Sequence, residues 1–276
     1  MNMNEGEEHE DAVKLPARAV YQYLPYTGEL GVSDLEQLTA DYFDQEAAEY
    51  DLFDVTVKRR GAYLDAIDGI VGEELLRTED CARILSFGCG TGRREVTICR
   101  SLANDPEIVG VETSPLMAAQ ARARGLAVFR SLEQVLGAFG DGSFAFGMAL
   151  YSFPHLPDRA SRVAALRTIK RLLRPGAILT LDVFNLGDRF EWASKLDDGG
   201  WGSPPPQHGQ FKGEVLYRRA EGARSSYMHY FSVGEITSLL EDCGFLISRV
   251  VGVGHGRNPG EIVNLDEGCI VVRAIA

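Results

Sequence analysis

The chain has 276 residues, 45% of them hydrophobic and 25% charged, which suits one large α/β domain, or two small ones, able to bury a full core. Its 28 Lys plus Arg against 40 Asp plus Glu leave a net charge of −12, which disfavours nucleic acid as a partner because phosphate contacts come from Lys and Arg. Five cysteines (Cys81, Cys89, Cys99, Cys243 and Cys269), odd in number and without a CxxC pair, argue against a disulfide framework or a zinc site and point to a reducing cytoplasm.

The start, Met1 to Asp11, is acidic and has no apolar stretch, so it reads as neither a signal nor a transit peptide. Residues 1–15 are expected to form a disordered tail. Residues 16–80 read as a mostly helical cap. One helix is expected over Leu35–Asp54, with six acids between Asp41 and Asp54 and no base. A second is expected over 56–76. The acids, like Lys58-Arg59-Arg60, read as solvated helix faces.

From residue 81 strands and helices alternate, which marks the main domain, 81–276. Strands are expected at Ile84–Phe87, Ile108–Val111, Leu126–Phe129, Ser143–Tyr151 and Ala177–Phe184. Helices are expected at Thr91–Leu102, from Ser114-Pro115 onward, near 131–138, and at Arg159–Leu173. Ser114 before Pro115 is a cap followed by a proline suited to the first turn. On the last helix Val163, Leu166, Ile169 and Leu173 line one face, with Arg162, Arg167, Lys170 and Arg171 elsewhere. Strands separated by helices of this length pair in parallel through right-handed crossovers.

Residues 186–231 break the alternation. They hold Trp192, Trp201 and Pro204-Pro205-Pro206, then two β-like runs, Gly213–Arg218 and Ser225–Phe231. A long irregular segment in a compact domain is expected to be a lid or binding element. A helix over Val233–Cys243 and strands over Phe245–Val253 and Cys269–Ala274 close the chain. The two late strands lack an intervening helix, which suggests an antiparallel member at the sheet edge. No run reaches 18 apolar residues, so no membrane span is expected.

The chemistry concentrates in Ile84-Leu85-Ser86-Phe87-Gly88-Cys89-Gly90-Thr91-Gly92. A strand runs into a glycine-rich turn and then a helix. The glycines permit positive φ and close approach of a ligand, and the helix start presents unpaired N–H groups. Glu112 follows Gly92 by twenty residues, at the end of the next strand. An acid there can accept both hydroxyls of a ribose, which implies a nucleoside-containing cofactor. Neither GxGxxG nor the P-loop pattern fits, since Arg93 follows Gly92 and no GK[ST] appears.

Ile84–Gly92 resembles the first motif of class I S-adenosylmethionine-dependent methyltransferases. Val109-Gly110-Val111-Glu112-Thr113-Ser114-Pro115-Leu116-Met117 resembles their second motif. Asp141–Phe144 and Leu172-Leu173-Arg174-Pro175-Gly176-Ala177 are similar to later landmarks. The resemblance spans residues 40–275. It implies an α/β, doubly wound, mostly parallel seven-stranded Rossmann-like sheet with the last strand antiparallel, joined by N-terminal helices and a lid insertion. It implies S-adenosyl-L-methionine as cofactor, with Gly88, Cys89, Gly90 and Gly92 facing its methionine part, Glu112 holding the ribose, and Ser86, Thr113 and Leu150 beside it. Tyr50 resembles a residue that closes over the cofactor.

Two departures stand out. The family usually has an acid where Ser86 stands, and often another near the adenine, where Phe129-Arg130-Ser131 lies. Serine can make a hydrogen bond but carries no charge.

Cys89 reads as a small residue tolerated in the turn. Tyr151 and His155 follow the fourth strand, where the reacting methyl would sit. His155 is either a packed loop residue or a general base, because imidazole titrates near neutrality. His229 and Tyr230 offer the same alternatives. Arg218, Arg219 and Arg224 could hold an anionic group or simply edge a hairpin. The resemblance then implies O- or N-methylation of a small molecule, the nucleophile held about 3 Å from the methyl carbon with water kept out. Tyr21, Tyr23, Tyr26, Trp192, Trp201 and Phe211 would line an apolar or aromatic acceptor pocket. Methylation of a tRNA base or protein side chain is one alternative. Cofactor binding without methyl transfer is the other. The sequence leaves the oligomeric state open.

Overall fold

Glycine punctuation and apolar runs set the architecture of the main sheet. The computed structural model describes residues 21–26, 28–52, 58–100, 102, 105–188, 213–219, 224–255 and 258–276. Its parallel core comprises β2 (Arg83–Phe87), β3 (Glu107–Val111), β4 (Ala127–Phe129), β5 (Phe144–Ala149) and β6 (Leu173–Val183). After these come β9 (Leu246–Val253), the two-residue β10 (Ile262–Val263) and β11 (Cys269–Ile275). Their order is β10-β9-β11-β6-β5-β2-β3-β4. The seven expected strands are present, with β10 added to one edge. β5 is buried at all six positions, as a central strand covered on both faces must be.

The last strand is antiparallel, as expected, but it does not lie at the edge. β11 pairs with β6 on one side and β9 on the other, antiparallel to both. It fills the gap between two parallel strands, and Ile270, Val272 and Ala274 are each fully buried there.

Helices α3 (Arg93–Cys99), α4 (Pro115–Ala123), α5 (Leu132–Phe139), α6 (Arg159–Leu172) and α7 (Val233–Asp242) cover the sheet, preceded in the chain by α1 (Val32–Glu46) and α2 (Lys58–Leu76). Ser114, Ser131, Asp158 and Ser232 each cap a helix through the side chain. α6 departs from the predicted face. Arg162 is 4% exposed and lies with Ala165, Leu166, Ile169 and Leu172 on the buried side. Its guanidinium is satisfied by the Leu156 carbonyl at 3.1 Å and the Tyr227 hydroxyl at 3.1 Å, and stacks 5.1 Å from the Phe231 ring. A buried cation with this many partners is tolerated where a lone one would not be.

Residues 16–80 are not wholly helical. Tyr21–Pro25 forms β1, which pairs antiparallel with β7 (Glu214–Arg219), and β7 pairs with β8 (Ser226–His229). This three-stranded sheet is built from both ends of the chain. It meets α1 through Thr39, whose hydroxyl accepts from Tyr227 N at 3.3 Å. The predicted tail, most of the lid segment, Trp192, Trp201, Phe211 and the side chains of Tyr21, Tyr23, Lys58, Arg59, Arg60 and Arg219 lie outside the described residues. Among those described, no helix is long and apolar enough to cross a membrane.

Candidate functional site

In an open parallel sheet, ligands bind beyond the carboxyl ends of the strands, where the strand order reverses. Here that point lies between β2 and β5. A small cleft, open to solvent, lies there. It is lined by the turn after β2 (Gly88 to Thr91), the start of α3 (Arg93 to Glu95), Leu150 and Tyr151 after β5, and Tyr50 with Asp51 from the segment before the core.

The turn is held open by its glycines. Gly88, Gly90 and Gly92 have φ of +69°, +54° and +76°. A Cβ on Gly88 would come within 2.2 Å of the Ser152 Cβ. The Ser152 hydroxyl is itself fixed, donating to the Phe87 carbonyl at 2.6 Å, which ties the two loops across the switch point. Gly92 packs tightly on Ala121 and Leu126. The Cys89 thiol fills the space that a side chain on Gly110 would need. Burial pushes that thiol far up, with the charges of Glu95 and Glu112 adding to the effect, so it is a packing group rather than a nucleophile.

Glu112 is 8% exposed. Its carboxylate accepts from Gly90 N at 2.9 Å and Ser114 N at 2.8 Å, so it joins the glycine turn to the start of α4. Burial raises its pKa, and the N–H groups of Ser114, Gly90 and Thr113 oppose that. Thr113 is exposed beside it, and Leu150 is buried against the cleft.

Two acids of the pre-core segment are engaged rather than solvated. Asp44 Oδ1 accepts from the Ser114 hydroxyl and from Leu116 N, both at 2.8 Å. Asp51 accepts from the Thr91 hydroxyl and from Arg124, both at 2.6 Å. Asp51 thus ties the segment carrying Tyr50 to the glycine turn, and Asp44 ties it to the start of α4. Tyr50 lies edge-on to Phe43, with ring centroids 6.2 Å apart.

Ser86 does not stand alone. Its hydroxyl donates to Glu95 Oε1 at 2.8 Å. Glu95 is 4% exposed, and its other oxygen, Oε2, is buried without a hydrogen-bond partner. A glycine cradle, a carboxylate at the end of β3 and an incompletely satisfied carboxylate under the cradle suit a ligand with a diol and an ammonium group.

The predicted bases fare differently. Tyr151 lines the cleft and takes a left-handed φ of +60°, rare for a non-glycine residue. Its N–H donates to Asp182 Oδ1 at 2.6 Å, and Asp182 Oδ2 accepts from the Tyr63 hydroxyl at 2.6 Å. Burial, then the charge of Asp182, raise the Tyr63 pKa well above its ordinary value. The Tyr151 hydroxyl lies 3.2 Å from His255 Nε2. His255 was not singled out in the sequence because it sits in a loop far from any motif.

His155 is outside the cleft lining. Its Nδ1 donates to the Tyr227 carbonyl at 2.7 Å, and its ring packs 5.0 Å from Phe43. Enclosure pushes its pKa down to about 4, although hydrogen bonds to the Tyr227 and Tyr151 backbone favour the charged form. His229 is 5% exposed, with Nε2 at 2.9 Å from Glu235 and its ring 4.4 Å from Phe231. It belongs to the packing between β8 and α7 and does not line the cleft. Of the basic residues, Arg224 pairs with Asp41 at 3.2 Å.

Residues 57–249 match the family profile of a methyltransferase domain. The chain belongs to the class I S-adenosylmethionine-dependent methyltransferases. The cofactor of this family is S-adenosyl-L-methionine. The methyltransferase is 34% identical over 122 residues to the O-methyltransferase rstn1 of Aspergillus nomiae, covering 41% of this chain and 52% of that protein. It is 31% identical over 105 residues to the O-methyltransferase resE of Aspergillus sclerotiorum, covering 36% and 38%. It thus spans about half or less of the curated relatives it matches. In fold it is similar to the CcbJ methyltransferase of Streptomyces caelestis (TM-score 0.61, 16% identity, 87% of this chain and 98% of that one). It is also similar to the 1,6-didemethyltoxoflavin-N1-methyltransferase of Burkholderia thailandensis, solved with its substrate and S-adenosylhomocysteine (TM-score 0.58, 18% identity, 92% and 94%).

Proposed function

We propose that this methyltransferase acts on a small-molecule acceptor, at an oxygen or nitrogen atom. The observation that carries the reading is Tyr151. It lines the cofactor cleft, and its hydroxyl faces His255 in surroundings made aromatic by Tyr63 and Phe184. Such an enclosure favours a compact, partly aromatic molecule over a polymer. Two relatives named O-methyltransferases favour oxygen. Pairing of Arg224 with Asp41 reduces the free positive charge available to RNA.

In this reading the turn Gly88–Gly92 holds the methionine part, Glu112 the ribose, and Thr113 and Leu150 flank them, while Tyr50 covers the cleft. Bound there, S-adenosylmethionine supplies a methyl group on a good leaving group. The chain's own work is to orient the acceptor, exclude water and remove a proton. The Tyr151–His255 pair is the proposed proton acceptor, in place of His155 and His229. A base with a pKa near 4 is a poor one at neutral pH.

Calorimetric titration with S-adenosylmethionine and S-adenosylhomocysteine tests the reading. Micromolar binding is expected, weakened at least about tenfold in Glu112→Ala. A mass screen of phenols, alcohols and amines should then find a product heavier by one methyl group in place of one hydrogen. Absence of binding by either ligand would sink the assignment.

A further inference from the structure

Glu95 is the third residue of α3 and is among the residues lining the cleft, with Gly88, Cys89 and Gly90. One oxygen takes the Ser86 hydroxyl at 2.8 Å, and the other has no partner. A buried carboxylate oxygen left unsatisfied is costly, so such a group marks a place where a donor or cation is expected to bind. Ser86 occupies the position where the family usually carries an acid. The missing charge therefore reappears one hydrogen bond away, on the neighbouring helix.

We propose that Glu95 supplies the carboxylate that Ser86 lacks, and that its free oxygen receives the ammonium group of the cofactor's methionine half. The inference rests on the cofactor reading above. Other charges nearby do not substitute for it. Arg94 is spent on Asp68 of α2, with contacts of 2.6 and 2.9 Å. Burial is the largest influence on the Glu95 carboxyl and raises it; its own backbone N–H, the Ser86 hydroxyl and then Arg94 pull it toward ionisation, and Asp68 opposes them. Cys89 in the turn and Cys99 on the same helix face it as neutral thiols, both pushed up first by burial and then by the charge of Glu95. Burial holds the Glu95 carboxyl itself up at about 7. An ammonium beside it pulls that value down. Binding at neutral pH therefore releases a proton, and affinity rises from pH 6 to pH 8.

The test compares two ligands by calorimetry. S-adenosylhomocysteine carries the ammonium group, whereas 5′-methylthioadenosine keeps adenine, ribose and sulfur but lacks it. Glu95→Gln should weaken S-adenosylhomocysteine at least tenfold, leave methylthioadenosine within twofold, and abolish the proton release seen between buffers of different ionisation enthalpy. Adding Ser86→Asp to Glu95→Gln should recover part of the lost affinity. Unchanged S-adenosylhomocysteine binding in Glu95→Gln would overturn the proposal. So would equal weakening of both ligands, which would mark a structural role. A wild type that binds neither ligand would remove the cofactor reading itself, and that outcome is separate from a wild type that binds both while Glu95→Gln makes no difference.

Discussion

Gly88 shows how much one residue can decide. Its φ of +69° strains any L side chain, and a Cβ there collides with Ser152, which is pinned to the Phe87 carbonyl. Gly88→Ala should therefore lose measurable cofactor binding in calorimetry and melt at a lower temperature. Gly137, in the helix α5, has nothing within 4 Å of the equivalent position. Gly137→Ala should leave binding intact and add up to about 1 kcal/mol of stability. The role of the glycines was legible in the sequence because positive φ and close approach are local demands. The partner of Ser86 was not. Glu95 is only nine residues away, but whether it faces Ser86 depends on how α3 lies against β2.

At the scale of elements, the acidic segment before the core shows what patterning misses. Acids without interspersed bases read as a solvated face, yet Asp44 caps α4 from outside that helix. It accepts from the Ser114 hydroxyl and from Leu116 N. Asp44→Ala should cost about 1 kcal/mol, in line with the loss of a helix cap. Thermal melting would show this, and limited proteolysis should cut faster between residues 32 and 52. Strands and helices of the core emerged within a few residues of their predicted limits, because each is a contiguous apolar pattern closed by glycine or a cap. β1 did not. Tyr21–Pro25 becomes a strand only because β7, far along the chain, offers its edge. Arg162 likewise reads as a surface base until the Leu156 carbonyl and Tyr227 hydroxyl are placed around it.

Over the whole molecule, two enclosed groups set opposing pH responses. The unfolded chain protonates His155 near its ordinary 6.5, the folded one only near 4. That group alone makes the fold less stable as pH falls from 6.5 to 4. Glu95 ionises near 4.5 when unfolded and near 7 when folded, so it makes the fold less stable as pH rises from 4.5 to 7. The two oppose each other between pH 4.5 and 6.5, and single variants separate them. Relative to the wild type, the melting temperature of ligand-free Glu95→Gln should improve as pH is raised from 4.5 to 7. That of His155→Gln should improve as pH is lowered from 7 to 4.5. Differential scanning calorimetry across this range checks both, and parallel curves would refute them.

The sequence by itself determined the glycine turn, the acid at the end of β3, the alternation of strands and helices, and hence the cofactor family. Each is written in contiguous residues, and each follows from backbone freedom or period. Only the tertiary structure decided that β11 enters between β6 and β9, that Asp44 and Asp51 clamp the pre-core segment, and that the Tyr151 hydroxyl faces His255 while His155 turns to backbone groups. It alone set Glu95 beside Ser86. Those pairings depend on burial and on groups from distant parts of the chain arriving at the same place, and no local pattern encodes which donor will face which acceptor.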